Sequence, residues 1–245
     1  MILPITLTEE PHQPALVADI LDFWLGDGLV QGWPSGELNK RWFSGGALLD
    51  EEVRARFGHA VHQALQGGLT AWEKPLQSRL ALVILLDQFS RNVFRGTARA
   101  FDGDARALQL TLQTLAQHED QQLPWVGRVF LYMPLMHAED PALQKSCIAC
   151  FSRLLADAPA ALKPRLQGNL DFATQHQAIV ARFGRFPYRN AVLGRASNAE
   201  EEEFLRNANL QVEALNHALR NVPADRARMH VCWGNYEGPH HCDVE

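Results

Sequence analysis

The sequence predicts an all-α fold. Apolar residues recur at three- and four-residue spacing through most of the 245 residues. No segment alternates apolar and polar residues, and no Asn-Gly turn joins β-branched runs. Pro, Gly and short polar residues fall where helices need starts and stops. About eight or nine helices of ordinary length, joined by short connections, suggest an array or bundle.

Each element has its own pattern. Leu16, Ile20, Phe23 and Trp24 form a first apolar stripe that Gly26 and Gly28 stop. Residues 27–46, with five Gly, Pro34 and a Trp-Phe pair, read as a long structured loop. Asp50 is expected to cap a helix carrying Val53, Phe57, Val61 and Ala64, ended by Gly67-Gly68. Pro75 opens a helix with Leu76, Leu80, Val83 and Ile84 inward. Asp102 is expected to cap the helix of Leu108, Leu112 and Leu115, and Pro124 to start another that Pro134 breaks. Asp140-Pro141 is a cap and first-turn proline ahead of Leu143, Cys147, Phe151 and Leu154. Leu166, Leu170, Ala173 and Val180 mark a helix that Gly184 and Pro187 end, and Ser197 with Glu200 has capping-box spacing ahead of Phe204, Val212 and Leu219. The chain reads as one domain over 1–222 with a less regular tail over 223–245.

Composition narrows the function classes. Hydrophobic residues at 47% and charged residues at 21% describe a globular chain, and a net charge of -5 lacks the footprint of a nucleic-acid binder. The longest apolar run, Leu80 to Leu86, is too short to cross a bilayer, and the first residues lack a basic segment of the secretory kind. No membrane association is expected. The four Cys are read as thiols and the protein as cytoplasmic. Walker A, G-x-G-x-x-G, H-E-x-x-H and G-x-S-x-G motifs are absent from the sequence.

Ionisable groups interrupt three apolar helices. Asp87 and Arg91 continue the stripe of Leu80, Val83 and Ile84, with Asn92 and Arg95 just beyond. A carboxylate and a guanidinium placed there must pair, as a helix-packing ion pair or as part of a pocket. His176 through Arg195 carries Arg182, Arg185, Arg189 and Arg195 among Phe183, Phe186, Tyr188 and Asn190, around the breakers Gly184 and Pro187. Rigid guanidinium forks of this kind suit a carboxylate or phosphate. A surface cluster in a chain with 19 Arg and 4 Lys is the plainer alternative. His137, beside Glu139 and after Pro134, is a candidate general acid or base, with an interior histidine as the alternative.

Other patterns carry less. Cys147-Ile-Ala-Cys150 lies in an amphipathic helix and reads as two core residues. His230, Cys232, His240, His241 and Cys242 match no structural zinc spacing, so no metal site is assigned.

Four blocks carry a family resemblance: Ile20-Leu-Asp-Phe-Trp24; Leu86-Asp-Gln-Phe-Ser-Arg-Asn-Val-Phe-Arg-Gly96 with Ala100-Phe-Asp102; Arg128-Val-Phe-Leu-Tyr-Met-Pro134 with His137 and Glu139; and His176 through Arg195. They resemble an uncharacterised bacterial family, a domain of unknown function related to tetratricopeptide-like helical proteins. The Arg-Phe-Gly-Arg-Phe-Pro run is its most specific part. Tyr188 stands where the family often has His. The resemblance implies a tetratricopeptide-like all-α fold over about residues 17–220, and implies no activity or cofactor.

These residues suggest two functions. The first is an enzyme acting on a small anionic metabolite. Arg91, Asn92, Arg95, Arg182, Arg185, Arg189, Asn190 and Arg195 supply the binding groups, His137 or His176 moves a proton, and Asp87 or Glu139 orients it. A metal variant uses His137, Glu139 and His176 as ligands. The alternative is a non-catalytic module holding an anionic ligand or acidic peptide, so a protein partner is compatible with it.

Overall fold

The computed structural model describes residues 13–36, 38, 41–42 and 46–207. Among these the chain is all-helical, as its periodicity requires. The elements are α1 (Pro14–Leu25), α2 (Gly28–Gln31), α3 (Gly46–Leu65), α4 (Leu76–Val83), α5 (Ser90–Val93), α6 (Asp104–Ala116), α7 (Trp125–Met136), α8 (Pro141–Asp157) and α9 (Lys163–Phe183). A π-helical turn, Ile84–Phe89, fuses α4 to α5. Short 3-10 turns cover Thr70–Glu73, Ala98–Phe101, Glu119–Gln122 and Pro187–Arg189, and 199–207 is helical.

The α4–α5 rod is the centre of the molecule. Its residues from Ser78 to Asp87 are all buried, as an all-round apolar helix demands. Each fully buried Leu or Val there contributes about 1.5–3 kcal/mol. Aromatic rings close one side: Phe89 meets Trp24 edge-on at 5.2 Å and Phe57 at 5.0 Å, and Trp24 meets Phe130 at 5.9 Å. α8 and α9, joined by a short loop, form the most extensive helix pair.

Several local expectations shift. Asp50 does not cap a helix. α3 begins at Gly46, and Asp50 is buried inside it, accepting from Arg95 Nε (2.5 Å), Arg95 Nη2 (2.8 Å) and Asn92 Nδ2 (2.8 Å). Asp102 comes directly after the 3-10 turn, and α6 starts at Asp104 behind Gly103. α7 runs through Pro134 to Met136 instead of breaking there. The stretch read as one loop contains α2. The capping box is displaced by one residue: Asn198 Oδ1 accepts from the Glu201 amide (2.9 Å), and Glu201 Oε2 from the Asn198 amide (2.8 Å). Asp140 does cap α8, accepting from the amides of Ala142 and Leu143. Gly184 ends α9 in the left-handed conformation. The tail over 223–245, with its Cys and His residues, lies outside the described residues.

No described helix is long and apolar enough to cross a membrane.

Candidate functional site

The site is built where the π-turn meets the ends of α7 and α9. A π-turn inserts a residue into an α-helix and rotates the helix beyond it, and such turns collect at functional positions. Here Asp87 lies inside the turn and Arg91 four residues on, just beyond it, and both are buried. The Arg91 guanidinium folds back, and Nη1 donates to the Asp87 carbonyl (2.5 Å). Ser90 Oγ donates to the Leu86 carbonyl (2.6 Å). The carbonyl that the turn exposes at Leu86 also explains Gly103, where a Cβ would lie 2.3 Å from that oxygen. Only glycine lets the α6 N-terminus come this close, and the approach delivers Asp104 to Arg91.

Asp87 is the pivot. Its Oδ1 lies 2.7 Å from Nδ1 of His137, its Oδ2 accepts from Gln88 Nε2 (2.5 Å), and Arg91 Nη1 is 3.5 Å from Oδ1. Burial pushes this carboxyl upward, but His137, Arg91 and the two hydrogen bonds outweigh it and hold the pKa at about 2. Asp87 is therefore an acceptor, so His137 Nδ1 carries the proton, and in the neutral imidazole Nε2 is the free lone pair. The His137 side chain is 11% exposed, whereas Asp87 behind it is 1% exposed.

His176, on α9, packs against His137 with ring centroids 6.4 Å apart. Its Nδ1 lies 2.9 Å from the Phe172 carbonyl, which fixes the proton there. Its buried Nε2 has no hydrogen-bond partner. Burial, then the neighbouring His137, lowers its pKa to about 3, so the ring is neutral.

Arg189 completes the cluster. Nη1 donates to the His137 carbonyl (3.0 Å) and lies 3.8 Å from Asp104 Oδ2. Its guanidinium covers the rings of Phe186 (4.5 Å) and Phe101 (4.9 Å). Arg91 reaches Asp104 through Nη1 (2.9 Å) and Nη2 (3.0 Å). Two buried guanidiniums thus share Asp104, the wetter carboxylate at 27% exposed, while Arg91 alone also reaches Asp87. The arrangement gathers two guanidiniums, two carboxylates and two imidazoles, one of them oriented by Asp87.

Of the residues singled out in the sequence, Asp87, Arg91, His137, His176 and Arg189 come together here. The others have separate structural partners. Glu139 accepts from Arg195 through both oxygens (2.5 and 2.9 Å) and from the Phe186 amide (2.8 Å), and these donors lower its pKa against the opposing effect of burial. Arg185 forks onto buried Glu201 (2.7 and 2.8 Å), whose pKa falls to about 2 chiefly through that bond. Arg182 pairs with Glu200 at the surface (2.8 Å). Asn190 Nδ2 donates to Ser197 Oγ (3.0 Å). Asn92 and Arg95 hold Asp50. Asp104, Gly103 and Phe101 were not anticipated. The one available signal was an acidic residue directly behind a glycine, after an Arg-rich helix end.

Among the described residues no three His, Cys, Asp or Glu side chains gather as metal ligands, and Glu139 is taken up by Arg195. Cys147 and Cys150 are buried free thiols with pKa values raised by burial. A shallow groove lined by Ser152, Leu155, Lys163, Gln167 and Leu170 lies at the loop end of the α8–α9 pair, away from His176. It brings no acid–base pair together.

We found no match among curated proteins. The protein of unknown function ATU0120 from Agrobacterium tumefaciens has a similar solved structure, with a TM-score of 0.66 and 35% sequence identity over 80% of this chain and 99% of that one. Residues 20–209 match the model of a family described as bacterial protein of unknown function. The chain belongs to that family, DUF924.

Proposed function

We propose that the chain is an enzyme that acts on a small anionic metabolite by proton transfer at His137. The observation that carries this is the 2.7 Å contact between Asp87 Oδ1 and His137 Nδ1. A buried carboxylate fixes the imidazole tautomer, turns Nε2 toward the ligand, and stabilises the imidazolium formed when Nε2 takes a proton. Arg91 and Arg189 supply the positive field for a carboxylate or phosphate. With His137 protonated, the cations in this cluster outnumber Asp87 and Asp104 by one, which favours an anionic substrate. A hydrolysis or an elimination-type proton transfer fits this pair.

The helix pair α8–α9 supports a tetratricopeptide-like reading of the array, and the buried free thiols support a cytoplasmic setting. The non-catalytic alternative assigns no task to His137.

The test is a screen of small phosphate and carboxylate esters and hydroxy acids, repeated with His137→Gln. Turnover that falls at least about 100-fold in the variant, assayed at a temperature where its circular dichroism matches that of the wild type, is the expected result. Turnover indifferent to His137→Gln would sink the proposal.

A further inference from the structure

His176 Nε2 is a buried acceptor with no partner beside the proposed anion pocket. Its ring is held from three sides. Nδ1 is tied to its own helix at Phe172, Phe186 stands edge-on at 5.4 Å, and His137 is 6.4 Å away. With Nδ1 turned back to the helix, Nε2 is the one ring nitrogen left without a partner, and it is buried. Arg189 lies over the same Phe186 ring at 4.5 Å. One aromatic ring therefore carries a guanidinium and a proton-accepting imidazole as neighbours.

We propose that the ligand bears a hydroxyl close to its anionic group, and that His176 Nε2 accepts the hydrogen bond from that hydroxyl. This rests on the anionic-substrate reading above and narrows it to hydroxy acids or hydroxylated phosphate esters. A second carboxylate or phosphate oxygen at this point would face a lone pair. An ammonium would sit in the positive field of Arg189. A neutral O–H donor avoids both conflicts. A buried acceptor left unpaired is costly, so a site of this kind discriminates strongly against an analogue that lacks the donor.

Glycolate and acetate differ by that one hydroxyl. Calorimetric titration of the full chain is expected to give glycolate about tenfold tighter binding than acetate. In His176→Phe the preference should shrink to less than about twofold with acetate binding retained. In wild-type protein, the ¹⁵N resonance of His176 Nε2 should move with glycolate and stay still with acetate. Equal affinities, a preference that survives His176→Phe, or an unmoved resonance overturns the hydroxyl assignment and leaves the anion pocket standing. Failure of both anions to bind overturns the pocket, and this inference with it.

Discussion

Acidification should unfold this protein through His176. An unfolded histidine titrates near 6.5, while burial holds His176 at about 3 in the folded chain. The folded state then binds fewer protons than the unfolded state between those values. Stability is full above pH 6.5 and is lost progressively as the pH falls toward 3. From pH 6.5 to 5, one and a half pH units at up to about 1.4 kcal/mol each, the stability falls by roughly 2 kcal/mol. The charges facing the ring are His137, Arg189 and, through His137, Asp87, and none offers the imidazolium a carboxylate of its own. Urea denaturation at pH 7, 6 and 5 measures the loss as a falling midpoint at constant slope. The comparison with His176→Phe isolates it, because the histidines shared by both chains contribute alike. The variant should lose about 2 kcal/mol less over that interval. Parallel pH profiles for the two proteins would refute a buried, neutral His176.

Three further outcomes are expected. Asp87→Asn should cost about 3–5 kcal/mol at pH 7, because it leaves Arg91 and His137 without their buried carboxylate. Since the pKa of Asp87 is depressed from 3.8 to about 2, its contribution is present above pH 3.8 and fades toward pH 2. The gap between wild type and Asp87→Asn should therefore narrow by about 2 kcal/mol across that window, read by chemical denaturation at each pH. Gly103→Ala should cost about 1–3 kcal/mol, because its Cβ meets the Leu86 carbonyl, and a crystal structure should show Asp104 displaced from Arg91. Arg185→Ala should lower the melting temperature by releasing buried Glu201, yet leave glycolate binding unchanged in the same titration used for His176.

The helices were legible because their apolar stripes, prolines and glycines are local signals. Asp87, Arg91 and His137 were legible for the same reason, as ionisable groups set on faces that must be buried. The π-turn was not. An inserted residue leaves no mark on a run where every position from Leu80 to Leu86 is apolar, so the turn that carries Asp87 has no sequence signature. Asp104 was hidden because an acidic residue in a first helical turn already has a sufficient local explanation. Arg185 and Arg195 looked free because Glu201 and Glu139 lie 16 and 56 residues away. Fork-shaped ion pairs between distant segments cannot be paired from one sequence. The displaced capping box has a related cause. Glu200 turns out to Arg182 and Glu201 turns in to Arg185, and only tertiary packing separates these adjacent carboxylates.

That contrast also separates scaffold from site. In the turn over residues 184–201, both Arg185 and Arg195 fork onto a carboxylate, and the segment is fastened to the end of α7 and to the last described helix. Such closure serves rigidity, and a ligand would have to break it. The cluster around Asp87 is different. It buries two guanidiniums, a carboxylate and an imidazole beside the partly exposed His137, so its charge is concentrated in the interior; Arg91 Nε and His176 Nε2 are unpartnered there, as Asn190 Oδ1 and Arg195 Nε are in the turn. A network kept only for packing is better served by apolar residues of the same volume, and incomplete satisfaction makes the ionic choice costlier still. The arginine turn sets Phe186 against His176 and Arg189 against the His137 carbonyl, and under the proposed function a ligand would engage this buried charge and not the forked pairs of the turn.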